Sequence, residues 1–133
     1  MPHEKRIEIR WRDCDAFGHV NNAVYATYLE ECRDEWAEAA LDDVGDIWDF
    51  VLARVAIDFR RELKQEDDKI VVSCRLVRIG NSSVTLAEEI RTIDGELSAK
   101  AEAVLVARDK KTGSSRPLRP HEREAFERAL ESE

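Results

Sequence analysis

Two carboxylates stand two residues apart in Trp11-Arg12-Asp13-Cys14-Asp15-Ala16-Phe17-Gly18-His19-Val20-Asn21-Asn22. An acidic side chain just ahead of a helix start lies beside backbone N–H groups that have no partner inside the helix. The acid can attack or deprotonate while the N–H groups polarise a carbonyl oxygen. Asp15 is the candidate for the first task and the N–H groups near Asn22 for the second. An acid in this place also caps a helix and complements its dipole, so the loop alone leaves both roles open. Asp13 points the same way as Asp15 in extended backbone and is expected to make loop hydrogen bonds or to pair with Arg10 or Arg12. Cys14 alternates away from both and lacks the positive setting that a thiolate nucleophile needs. His19 reads as a loop anchor first and a proton carrier second. Gly18 reads as a residue at positive φ or at a close backbone approach.

These residues need elements to hold them. Lys5–Arg12 alternates, with Ile7, Ile9 and Trp11 on one face, as a half-buried strand does. From Asn22 to Leu41 the period lengthens: Tyr25, Tyr28, Leu29, Cys32 and Trp36 form the stripe of a long amphipathic helix, capped by Asn21 or Asn22. A second alternation, Trp48 to Glu62, sets Val51, Ala53, Val55, Ile57 and Phe59 on one side. Further strands are expected at Ile70–Ile79, Val84–Ile93 and Leu97–Arg108, with hairpin turns at Gly80-Asn81 and Asp94-Gly95. The row Ala99, Ala101, Ala103, Leu105 and Ala107 leaves room for a bulky neighbour such as the helix. Lys110–Pro120 is a basic loop, and Glu122–Leu130 a short helix with Ala125, Phe126, Ala129 and Leu130 inward. Hairpins imply an antiparallel sheet with the long helix over one face.

Composition bounds the partners. A chain of 133 residues fits one domain, 1–133. A net charge of −8 argues against a general binder of nucleic acid or anionic membrane, both of which need a basic excess. Cys14, Cys32 and Cys74 are an odd set without a CxxC pair, as expected of free thiols in a reducing compartment. His3, His19 and His121 are too scattered to suggest a zinc site. No apolar run approaches the ~20 residues of a membrane span. The first five residues lack the apolar core of a signal peptide, so a cytoplasmic location is expected.

The loop Asp13-Cys14-Asp15-Ala16-Phe17-Gly18-His19-Val20-Asn21-Asn22, between a first strand and a helix of the Tyr25–Trp36 type, resembles the hotdog-fold acyl-CoA thioesterases of the 4-hydroxybenzoyl-CoA thioesterase class. Arg78-Ile79-Gly80-Asn81-Ser82-Ser83-Val84 is similar to that family's turn between the third and fourth strands. The resemblance implies an α+β hotdog fold, with an antiparallel sheet of about five strands wrapped around one long central helix and a short C-terminal helix. It implies hydrolysis of a small or medium acyl-CoA, with an aryl group left open, to a free acid and CoA. Asp15 would act as nucleophile or general base, the N–H groups near Asn22 as the oxyanion site, with His19 beside them. Gly18, Tyr25, Arg60, Arg61, Ser82, Ser83 and Arg116, with Lys110 and Lys111, are the candidates to meet substrate and CoA phosphates. It implies no metal and no bound cofactor, CoA being part of the substrate. It further implies a homodimer or homotetramer with the thioester at the subunit boundary. Where aryl-specialised members carry Pro-Ala-Gly or aromatic residues, this chain has Ala16-Phe17-Gly18 and Asn21-Asn22. The alternatives are a hotdog protein that binds acyl-CoA as a sensor without cleaving it, and a dehydratase. The second needs a His on the long helix, and Asn22–Leu41 has none.

Overall fold

The computed structural model describes residues 2–132. Strands His3–Glu8 (β1), Phe50–Phe59 (β2), Lys69–Ile79 (β3), Ser83–Thr92 (β4) and Leu97–Ala107 (β5) form one antiparallel sheet in the order β1-β3-β4-β5-β2. Helices Asn22–Leu41 (α1) and Pro120–Glu131 (α2) complete the fold. The short turns at Gly80-Asn81 and Asp94-Gly95 place β3, β4 and β5 side by side, as hairpins must.

The stripe Tyr25, Tyr28, Leu29, Cys32, Trp36, Ala37 and Leu41 is buried, and α1 packs mainly against β3, with α2 and β1 beside it. Its apolar side chains share one core with Val72, Cys74, Leu76, Leu86 and Ile90 of the sheet. A charged rivet joins the same layers. Arg33 on α1 donates from Nε and Nη2 to Glu88 on β4 at 2.8 and 2.9 Å, with both side chains buried. Removing one partner would strand the other charge in the core, so the pair fixes the helix over this strand. A long helix held in the curve of an antiparallel sheet, with a short C-terminal helix, is the architecture that the hotdog resemblance implies.

The structure corrects the expected strands at three points. β1 ends at Glu8, and Trp11–Asp13 forms a single 3-10 turn that leaves Trp11 exposed rather than inward. On β2 the register shifts between Leu52 and Arg54. Phe50 and Leu52 lie opposite Ala107 and Leu105, and Val55, Ile57 and Phe59 opposite Ala103, Ala101 and Ala99. One extra residue at the bulge therefore moves Phe50 and Leu52, not Val51 and Ala53, onto the face that carries Val55, Ile57 and Phe59. Trp48 belongs to a 3-10 turn, Ile47–Asp49, whose Trp48 N–H donates to Asp46. At the C-terminus α2 begins at Pro120, an N1 residue whose missing N–H costs the helix nothing. Ala125 and Phe126 turn inward as expected, but Leu130 is exposed.

β2 is an edge strand. Its apolar row is half open: Leu52 is 42%, Val55 37% and Phe59 45% exposed. The opposing alanines beneath it, Ala99, Ala101 and Ala103, are buried.

Candidate active site

The loop between β1 and α1 is built to hold one carboxylate still. Asp15 N–H donates to His19 O at 2.9 Å and Gly18 N–H to Asp15 O at 3.0 Å, closing a tight turn. Gly18 adopts φ +83°, and a Cβ added there would meet no atom within 4 Å, so positive φ and not crowding is what requires glycine. Val20 N–H donates to Leu63 O at 2.7 Å, tying the loop to the chain beyond β2.

Asn21, not Asn22, is the N-cap of α1: its side-chain oxygen accepts Ala23 N–H at 2.9 Å. Its carbonyl accepts Val24 N–H. Among the described residues this leaves the Asn22 N–H as the first-turn donor that meets no acceptor. Asp15, half-buried, lines the same cleft as Asn22. Its Oδ1 accepts Phe17 N–H at 2.9 Å, and its Oδ2 has only a long contact, 3.5 Å, from Asn21 Nδ2. One carboxylate oxygen is thus oriented and the other left with spare capacity.

A cleft of about 470 Å³ opens over these groups, lined by Asp15, Phe17, His19, Asn22, Tyr25 and Phe59 with Arg60, Arg61 and Glu62 at one side. The ring of Tyr25 packs edge-on to Phe59 at 5.0 Å. Its hydroxyl accepts Leu63 N–H at 3.1 Å, so Tyr25 gives the cleft a fixed wall. His19 Nε2 lies 3.0 Å from Glu62 Oε2. Sequence reasoning missed Glu62, because only the folded chain brings it to the loop.

Asp13 takes the other role that its position allows. It is buried, and its carboxylate accepts Tyr28 O–H at 2.6 Å and Arg10 N–H at 2.9 Å. Burial opposes its ionisation, but those hydrogen bonds and the Arg10 charge outweigh it and hold the carboxyl below its ordinary range. Cys14 packs against the core, and burial together with the Asp13 and Asp15 charges pushes its thiol upward, away from reactivity.

The basic candidates divide. Arg60 lines the cleft and carries no ion pair among the described residues. Arg61 lines it too, but pairs with Asp67 at 3.1 Å and Glu96 at 2.6 Å. Ser82, Ser83 and Arg116 do not line it. Ser83 pairs with Val106, near the Phe50 end of β2, whereas the cleft lies at the Phe59 end. Ten strand residues separate those ends by roughly 30 Å. Arg116 is engaged structurally: Nη1 and Nη2 bind Glu122 at 2.8 and 3.0 Å, and Nε donates to Arg108 O. Lys110 is likewise held, by Asp46 and Asp49. Among the described residues no three His, Cys, Asp or Glu side chains converge as metal ligands.

With this geometry in view, three similarities carry weight. A thioesterase from Thermus thermophilus, solved in complex with coenzyme A and Zn, is 35% identical. It superposes with a TM-score of 0.85 over 98% of this chain and 94% of its own. The long-chain acyl-CoA thioesterase FadM of Escherichia coli (strain K12) is 26% identical over 96% of this chain and 98% of its own length. A chloroplastic acyl-acyl carrier protein thioesterase of Arabidopsis thaliana is 33% identical over 78 residues, 56% of this chain, and the chain spans 40% of that relative's length. Residues 9–126, which run from the end of β1 through the loop, the sheet and into α2, match the thioesterase-like superfamily, and the chain belongs to that family.

Proposed function

We propose that this single domain hydrolyses the thioester of an acyl-CoA to a free acid and CoA, with Asp15 as the reactive carboxylate. The observation that carries the reading is that Asp15 and Asn22, whose N–H meets no acceptor among the described residues, line one cleft. As general base, Asp15 Oδ2 takes a proton from water, whose oxygen attacks the thioester carbonyl. As nucleophile, the same oxygen attacks first and forms a mixed anhydride that water then cleaves. In either route the C–S bond breaks with its electron pair on sulfur, and CoA leaves as a thiolate. Negative charge develops on the carbonyl oxygen, and the Asn22 N–H at the positive end of α1 stabilises it. One such donor is worth about 3 kcal/mol of barrier. No cofactor enters these steps.

Arg60 is the cleft cation free to meet CoA phosphate. The working unit is a homodimer paired through β2, whose edge and half-open apolar row call for a cover. Antiparallel pairing of two β2 strands turns the Phe50 end of one copy toward the Phe59 end of the other. Ser82 and Ser83 then reach a cleft only from the opposite copy. The acyl chain lies along Phe59, Ile57 and Val55. Three free cysteines suit a reducing cytoplasm. No described helix is long and apolar enough to cross a membrane.

The test is thiol release from aryl-, short-, medium- and long-chain acyl-CoA, run beside Asp15→Asn. Turnover by the wild type and its loss in Asp15→Asn is the expected result. Binding of acyl-CoA without thiol release favours the sensor reading, and full activity in Asp15→Asn refutes the site. Trapping with hydroxylamine separates the routes, since only the nucleophilic one forms an acyl-enzyme.

A further inference from the structure

Asp13 stands at the base of the loop that carries Asp15, and it grips α1 at two heights. Its carbonyl accepts Asn21 N–H at 2.9 Å, at the N-cap. Its carboxylate accepts the Tyr28 hydroxyl at 2.6 Å, deep under the helix. Asn22 and Tyr28 are about 9 Å apart along the helix axis, from the rise per residue. The first grip fixes where the loop meets the helix. The second fixes the angle at which the loop leans over the first turn. Bonds inside the loop, Asp15 N–H to His19 O and Gly18 N–H to Asp15 O, maintain its shape but not its placement on α1.

We infer that Tyr28, through its hydrogen bond to Asp13, is a positioning residue for the hydrolysis: it sets the Asp15 carboxylate at its working distance from the Asn22 N–H. The inference rests on Asp15 and Asn22 being the reacting pair. Packing alone does not account for the arrangement. Tyr28 is 0% and Asp13 4% exposed, and a buried hydroxyl and a buried carboxylate each cost stability unless partnered. A phenylalanine would fill the same volume without that liability. What the hydroxyl adds is a short, charge-assisted bond whose other end is two residues from Asp15.

Tyr28→Phe removes one oxygen and keeps the ring. A displacement of the reacting carboxylate by about 1 Å costs about 100-fold in rate, so kcat is expected to fall by about 10- to 100-fold. KM for acyl-CoA is expected to stay within about threefold, because no substrate contact is lost. Val72→Ala, a core change on β3 outside the cleft lining, serves as the stability control. It should lower Tm by a comparable amount and leave kcat unaltered at a temperature where both variants are folded. The double variant Asp13→Asn with Tyr28→Phe should lose no more kcat than the worse single variant, since both break one link.

Tyr28→Phe with lowered Tm and wild-type kcat overturns the proposal and returns Tyr28 to the core. Losses that multiply in the double variant overturn it as well. Should Tyr28→Phe not fold, Asp13→Asn alone must lower kcat with KM kept, and an unchanged kcat there is equally decisive. Asp15→Asn in the same assay keeps the two readings apart. If it is inactive and Tyr28→Phe is unimpaired, only the clamp fails; if it is active, the site assignment fails first.

Discussion

The two ends of the sheet use the same residue types for opposite purposes. At the Phe50 end, Arg116 and Glu122 face each other through two hydrogen bonds of 2.8 and 3.0 Å, and Arg119 N–H adds a third to Glu122. Phe126 packs on Trp36 at 5.9 Å and on Phe50 at 5.6 Å around them. Both groups of that pair are fully engaged, although the nearby buried Arg108 Nε has no partner among the described residues. At the Phe59 end, Asp15 keeps one oxygen almost free, Asn22 keeps an N–H, and Arg60 has no ion pair among the described residues. A saturated corner stabilises, whereas a corner with unused donors and acceptors can bind and react. The same contrast exists over two residues of sequence. Asp13 is buried, with Oδ2 held by the Tyr28 hydroxyl and the Arg10 N–H; Asp15 is half-buried and bonded at Oδ1 by the exposed loop alone.

The sharpest way to break this comparison is to neutralise one acid at each end. Asp15→Asn should lower kcat by about 10²- to 10⁴-fold with little change in Tm, because a lost general base or nucleophile is a kinetic loss. Glu122→Gln should do the reverse. It strands the Arg116 guanidinium, whose side chain is 12% exposed, against a neutral amide. Breaking such a pair costs about 3 kcal/mol, roughly a 10 °C fall in Tm for a domain of this size. Thiol-release kinetics and thermal melts on both variants decide it. A catalytic loss in Glu122→Gln, measured on folded protein, would dissolve the distinction.

Acid should expose the saturated end next. Burial opposes the ionisation of Glu122, but hydrogen bonds from Arg116 and Arg119 N–H and the Arg116 charge prevail, so its folded pKa lies below the ordinary 4.5 of a glutamate. A carboxyl with a depressed folded pKa contributes stability that is complete above its unfolded pKa. That stability is lost as pH falls through the folded one. Tm should therefore drop below about pH 4.5, the range where an unfolded glutamate begins to protonate. In Glu122→Gln that part of the acid slope should flatten, which melts between pH 7 and pH 3 can read.

Much of this was legible in the chain. The three-to-four spacing from Tyr25 to Trp36 marks α1, because a long helix repeats its pattern often enough to override local noise. Gly80-Asn81 and Asp94-Gly95 mark two hairpins: Gly95 takes φ +91°, and a Cβ at Gly80 would come within 2.8 Å of Ser83 Oγ. The bulge on β2 was hidden: Val51 and Leu52 are equally apolar, and only the register against β5 decides which turns inward. Arg116 looked like a free phosphate ligand because its partner, Glu122, lies six residues on, across a bend that no periodicity announces. Asp15 stood out through its neighbours in the loop. The bonds that place it, from Tyr28 to Asp13 and from Val20 to Leu63, join residues whose adjacency exists only after folding.

The finest test uses two glycines. Gly18 sits in the Asp15 loop at φ +83° and Gly113 in the 109–114 turn near the Phe50 end at φ +76°. Neither has an atom within 4 Å of an added Cβ, so alanine meets backbone strain and nothing else at both. That strain costs roughly 1–2 kcal/mol for a left-handed residue. Gly18→Ala and Gly113→Ala should thus lower Tm by nearly equal amounts. Their kinetics should part. In Gly113→Ala the turn relaxes far from the cleft and kcat holds. In Gly18→Ala the loop relieves strain by shifting, and Asp15 moves with it, so kcat should fall by about 3- to 10-fold with KM little changed. Equal kcat in the two variants would mean that the loop around Asp15 tolerates displacement. The spare bonding capacity at that end of the sheet would then be slack in the fold, unrelated to reactivity.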